Sequence, residues 1–80
     1  MIKVTLKEEI KLDGKELNEI TLRRPKVRDR LAVDRSNASD AEKEVQLIAN
    51  LAEVPVEAIE DIDLADYAKL QKALSGFLSE

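Results

Sequence analysis

The chain contains no cysteine, no histidine and no tryptophan. Without cysteine there is no disulfide and no thiolate nucleophile, which fits a reducing compartment. With histidine also missing, the usual nucleophile–base pairs and most zinc and transition-metal sites are excluded. Only two glycines occur, Gly14 and Gly76, so there is no glycine-rich loop to cradle a phosphate. Tyr67 and Phe77 are the only aromatic residues, too few to make a stacking platform for nucleic-acid bases. No apolar run approaches the eighteen or so residues a membrane helix needs. The opening Met1-Ile2-Lys3-Val4-Thr5-Leu6 alternates too regularly for a signal peptide, so neither export nor membrane insertion is expected.

What is present is charge, arranged unevenly. Residues 1–38 hold ten Lys/Arg against seven Asp/Glu, a balance of +3, while residues 39–80 hold three against ten, a balance of −7. Two regions of different electrostatic character follow, serving solubility and intramolecular attraction first. Eighty residues predict one domain, 1–80, close to the lower limit for a self-sufficient core. Such a chain buries only about 60% of its unfolded surface, so a partner or a homo-oligomer is a natural way to complete it.

Ile2, Val4, Leu6, Ile10 and Leu12 share one parity, the mark of a half-buried strand. Asp13-Gly14 is a tight-turn dipeptide, and Leu17, Ile20 and Leu22 mark the return strand. A two-residue turn pairs Ile10 with Leu17. Continued unbroken, it would set Ile20 against Lys7, so a one-residue bulge near Asn18 or Glu19, or a three-residue loop, is expected. A hairpin over 1–24 is therefore followed by a helical part over 25–80. Pro25 ends the strand and precedes a helix near Lys26–Arg35, with Val27 and Leu31 as its apolar face. Ser39-Asp40-Ala41-Glu42 is a capping box opening a helix to Ala52. Pro55 opens a short helix to Glu60, and Asp63 caps a last helix over Leu64–Leu78. That helix carries the stripe Leu64, Tyr67, Ala68, Leu70, Leu74, Phe77 and Leu78. The predicted fold class is α+β: an N-terminal β-hairpin followed by about four short helices packed as a small helical domain.

The chemistry these residues offer is limited. Glu57, Glu60, Asp61, Asp63 and Asp66 crowd together, but the alternating oxygen ligands and central glycine of a calcium loop are missing. Cap duty for Asp63 and Asp66, and solvation for the others, is the expectation. A paired-carboxylate hydrolase is disfavoured by the lack of room for a cleft. The stretch from Ile48 to Ile59 scans like a helix-turn-helix, yet its second helix offers Glu57, Glu60 and Asp61 and no base to meet phosphates. No catalytic, cofactor or metal residues are predicted. The basic corner Arg23, Arg24, Lys26, Arg28 and Arg30 is expected to bridge to acidic helices or to meet a protein partner, with nucleic acid disfavoured. Phe77 and Leu78, near the end of the last stripe, are candidates to be shared with a partner.

Three pieces, taken in order, carry a resemblance. They are the Asp13-Gly14 hairpin, the corner Thr21-Leu22-Arg23-Arg24-Pro25-Lys26-Val27-Arg28-Asp29, and the ending Asp66-Tyr67-Ala68-Lys69-Leu70-Gln71-Lys72-Ala73-Leu74-Ser75-Gly76-Phe77-Leu78. With the Ile48–Ile59 stretch between them, the chain resembles the small tail assembly chaperones of Mu-like and related contractile-tailed phages and prophages over roughly residues 10–78. It departs from the pattern at Val54-Pro55-Val56, where a Ser or Thr cap before the proline is more usual. The resemblance implies a non-enzymatic protein of the bacterial host cytoplasm that binds the tape-measure protein, keeps it soluble and is absent from the mature virion. It also implies that a longer frameshifted form of the chain is a second candidate partner, as in many tailed phages. The partner-binding residues expected are Arg23, Arg24, Arg28, Arg30, Phe77 and Leu78. The alternative is a small regulatory or adaptor domain that binds another protein or nucleic acid.

Overall fold

Asp13 and Gly14 both take positive φ, 53° and 79°, which suits the right-handed twist of the strands they join. The computed structural model describes residues 1–79. Their turn connects β1 (Ile2–Leu12) to β2 (Lys15–Leu22) in an antiparallel two-stranded sheet. Four helices follow among the described residues: α1 (Val27–Asp34), α2 (Asp40–Ala52), α3 (Val56–Glu60) and α4 (Leu64–Leu78). The hairpin-then-helices α+β order is the one the sequence predicts.

The register corrects one expectation. Leu12 pairs with Lys15 and Ile10 with Leu17, so the turn has two residues and no three-residue loop is needed. The irregularity lies in β1, between Thr5 and Ile10, and not near Asn18 or Glu19 of β2. Thr5 pairs with Glu19 and Ile10 with Leu17, so Leu6 to Glu9 of β1 stand opposite Asn18 alone. The wide bulge lets Ile20 pair with Val4 in place of Lys7. It also takes Lys7 and Glu8 out of the ladder, and their N–H groups need other partners.

Those partners come from α4. The N–H of Lys7 donates to Asp66 Oδ1 at 3.0 Å and that of Glu8 to Asp66 Oδ2 at 2.9 Å. Lys69 Nζ, one turn on, donates to Asp66 Oδ1 at 3.0 Å and to the Thr5 carbonyl at 3.2 Å. Asp66 is therefore neither a cap nor a solvated charge as the sequence suggests. Its side chain is buried, and it holds the bulge against α4. Asp63 does cap α4, accepting from the Ala65 N–H at 2.9 Å.

The helix ends are otherwise legible. Ser39 Oγ accepts from the Glu42 N–H at 3.2 Å, and Glu42 Oε1 accepts from the Ser39 N–H at 3.0 Å, the full capping box. α2 ends with Glu53 in the left-handed region at φ 57°; the Val54 N–H reaches the Ala49 carbonyl at 3.1 Å. Val4, Leu6, Ile10, Ile20 and Leu22 of the sheet pack on Ile48 and Leu51 of α2, Ile59 of α3, and Leu70, Leu74 and Phe77 of α4 in one buried cluster.

α1 presents a different face from the one predicted. Val27 and Leu31 are exposed, at 78% and 50%, while Asp29 and Val33 are buried. Two residues advance a helix by about 200°, so the pair 29/33 lies almost opposite the pair 27/31. The electrostatics of Asp29 select which pair turns inward. On α4, Leu64 and Ala68 are exposed as well, so the inward stripe is Tyr67, Leu70, Leu74 and Phe77.

Candidate functional site

Arg23 leaves β2 with its N–H bound to the Leu51 carbonyl at 3.1 Å, which ties the sheet to the last turn of α2. Its guanidinium then forks onto Asp29, Nη1 to Oδ2 at 2.9 Å and Nη2 to Oδ1 at 2.8 Å. Glu53 lies 3.7 Å from Nε, an exposed and weaker contact. Asp29 Oδ2 also accepts from the Lys26 N–H at 2.8 Å, so one carboxylate caps α1 and neutralises the arginine. The hydrogen bonds from Arg23, then that from Lys26, outweigh burial and hold the Asp29 carboxyl near a pKa of about 2. This geometry fixes the strand-to-helix corner.

Next to it, the Arg24 guanidinium stands 5.5 Å from the centre of the Phe77 ring, a cation–π contact joining the corner to the end of α4. Phe77 is buried and belongs to the core, whereas Leu78 is 68% exposed. Arg28 and Arg30 are exposed on α1, and Arg30 lies 3.6 Å from Asp34 in an i,i+4 pair.

Between α1, α2 and α4 runs an open groove of about 540 Å³. Its apolar surface comes from Pro25, Val27, Val33, Leu47, Leu74 and Leu78. Its charged margin comes from Lys26, Arg30 and Asp34 on the α1 side and Asp40, Lys43 and Glu44 on α2. Glu44 is already engaged, accepting from Tyr67 Oη at 2.7 Å and from Gln71 Nε2 at 2.8 Å. Burial first, and the Glu44 carboxylate second, push the Tyr67 hydroxyl above the usual tyrosine range. It stays a neutral donor that fixes α2 against α4.

The six residues singled out from the sequence are thus divided. Arg30 and Leu78 meet in the groove, and Arg24 and Phe77 meet beside it. Arg23 is consumed within the corner, and Arg28 lies off the groove's lining. Sequence reasoning misses Val27 and Val33 as groove residues because it turns α1 onto the other face, and Leu47 because it lies beside the apolar stripe of α2. It also missed Asp29 and Asp66 as buried charges. A carboxylate at the third helical position after Pro25-Lys26 was the available signal for the first. No group of three or more metal-ligating side chains forms among the described residues, and none of their helices is long and apolar enough to cross a membrane.

The fold and groove define a small α+β domain whose open surface pairs an apolar floor with charged margins. The chain belongs to the family of phage tail assembly chaperone proteins, described as E, or 41 or 14, whose model matches residues 3–79. No curated protein and no solved structure matches it significantly.

Proposed function

We propose that this chaperone binds the phage tape-measure protein through the groove between α1, α2 and α4, and keeps it soluble until the tail assembles. The role is non-catalytic and is exercised in the bacterial host cytoplasm, with the chaperone absent from the mature virion. The observation that carries this reading is the exposure of Val27 and Leu78 on the two sides of one apolar groove. Two large apolar side chains left in water at a concave surface suit an amphipathic helix, which a tape-measure protein offers in quantity. Arg24 and Arg30 extend the contact as charged neighbours, and Phe77 supports it from below.

Magnitudes favour a loose association. Burying Val27 and Leu78 contributes about 3–5 kcal/mol, below the roughly 8 kcal/mol of a micromolar complex. Each groove then holds its helix weakly, and many copies along one client cover its apolar surface while each exchanges independently. Weak individual contacts also allow displacement as the tube polymerises. A longer frameshifted form of the chain is a second candidate partner.

The test is co-expression with the adjoining tape-measure gene. The tape-measure protein partitions to the soluble fraction with the chaperone and to the pellet without it. Equal solubility in both cultures removes the proposal.

A further inference from the structure

Arg30 and Asp34 of α1 follow Lys26, the extended residue before the helix, at intervals of four, and all three line the groove. The helical part of the row, Arg30 to Asp34, rises about 6 Å at 1.5 Å per residue. The row's first two positions are basic and its last is acidic. Asp40 opens α2 after the short 35–39 connection and adds a second carboxylate at the acidic end. The groove therefore has a basic end and an acidic end, with Val27 and Leu78 exposed along its walls; Lys43 and Glu44, the other charged lining residues, are neighbours of opposite sign and add no net charge. The Arg30–Asp34 pair does not cancel this polarity, since its side chains are 84% and 54% exposed and their attraction is weak.

We infer that the groove selects a charge-polarised amphipathic helix, acidic at the end that meets Lys26 and Arg30 and basic at the end that meets Asp34 and Asp40. Helices favour acidic side chains in their first turn and basic ones in their last. The occupant consequently runs parallel to α1. This rests on the groove being the client surface, as proposed above, and adds which helices it prefers and which way they lie. Charge complementarity of this kind chiefly governs selectivity and register rather than raw affinity.

The experiment uses the full chain and three synthetic helical peptides of about fourteen residues, capped at both ends and sharing one leucine stripe. One is acidic first and basic last, one has the same residues with its charges alternating, and one has only acidic charges. Fluorescence anisotropy at low salt gives the polarised peptide about a tenfold tighter affinity than the other two, and the gap closes at high salt. A spin label on the acidic end of the polarised peptide broadens amide signals around Lys26 and Arg30. In the triple variant Lys26→Glu, Arg30→Glu, Asp34→Lys, the broadening moves to the residues around Asp34. That variant reverses an exposed helix pair without touching the core, and urea unfolding verifies that it folds. Equal affinities for all three peptides, or an unmoved label, overturn the inference. So does occupation of the groove by a second copy of the chain, read as concentration-dependent shifts of Val27 and Leu78 without peptide. Because the peptides are designed, polarity is tested even if the tape-measure protein proves not to be the client.

Discussion

Arg23 and Asp29 form a two-point ion pair across the strand-to-helix corner, at 2.8 and 2.9 Å, with the Asp29 side chain only 7% exposed. The same carboxylate receives the Lys26 N–H. Deleting it costs three hydrogen bonds and leaves Arg23 half-buried without its main partner. Asp29→Ala is predicted to destabilise the protein by about 2 kcal/mol, read from urea unfolding. Arg28→Ala, on an exposed neighbour, should stay within about 0.5 kcal/mol. Equal effects from the two substitutions would contradict the role of the pair.

Asp66 seals the bulge of β1. In Asp66→Ala the Lys7 and Glu8 N–H groups lose their acceptors, and their hydrogen exchange should accelerate by about tenfold or more. Lys69→Met removes only an exposed donor and should leave those two amides nearly as protected as in the wild type. Unchanged exchange in Asp66→Ala would show that the bulge is held by something else.

Acid stability follows from the same two carboxylates. Both Asp29 and Asp66 sit at a pKa of about 2 against an ordinary 3.8, the first chiefly through Arg23 and the second through the N–H groups of Glu8 and Lys7. As pH falls, the unfolded chain takes up these protons before the folded one, so stability declines. The loss should run from about pH 5 to about pH 2, and denaturation midpoints across that window will show it. Tyr67 has the opposite sense: its raised pKa means the unfolded chain ionises first, so stability falls as pH rises above about 10. Tyr67→Phe should flatten the alkaline limb only.

Glu53 pays for a left-handed turn. At φ 57° it occupies a position where glycine carries no steric cost, and its contact with Arg23 is long and exposed. Glu53→Gly is predicted to raise stability by roughly 0.5–1 kcal/mol in thermal unfolding. A loss of stability would mean that the Glu53 side chain contributes more to the corner than its geometry indicates.

Much of the fold was legible because it depends on local chemistry. Asp13-Gly14, the Ser39/Glu42 box and Asp63 each satisfy backbone groups within a few residues, so their sequence positions set the element ends. What escaped is decided over distance. The three extra residues of β1 could not be assigned to a strand by counting, because the acceptor for the freed amides, Asp66, lies 58 and 59 residues away. In α1, Val27/Leu31 and Asp29/Val33 are equally good i,i+4 pairs, and hydrophobicity alone chooses the wrong one. Arg23 settles it by pulling Asp29 inward, which turns Val27 out to form the groove. Of the candidate site residues, Arg30 and Leu78 can be found by charge and position, whereas Val33 depends on the rotation of α1 and Leu47 on how α1 packs beside α2.

Under the proposed function, Val27 and Leu78 of the groove, more than Arg23 and Arg28 of the corner, hold the tape-measure protein. The most direct measurement is the soluble fraction of co-expressed tape-measure protein with the wild-type chaperone and with the double variant Val27→Glu, Leu78→Glu. Both positions are exposed, so the variant should unfold in urea within about 0.5 kcal/mol of the wild type. This folded variant is expected to leave the tape-measure protein in the pellet. A tape-measure protein kept fully soluble by the folded double variant would contradict it.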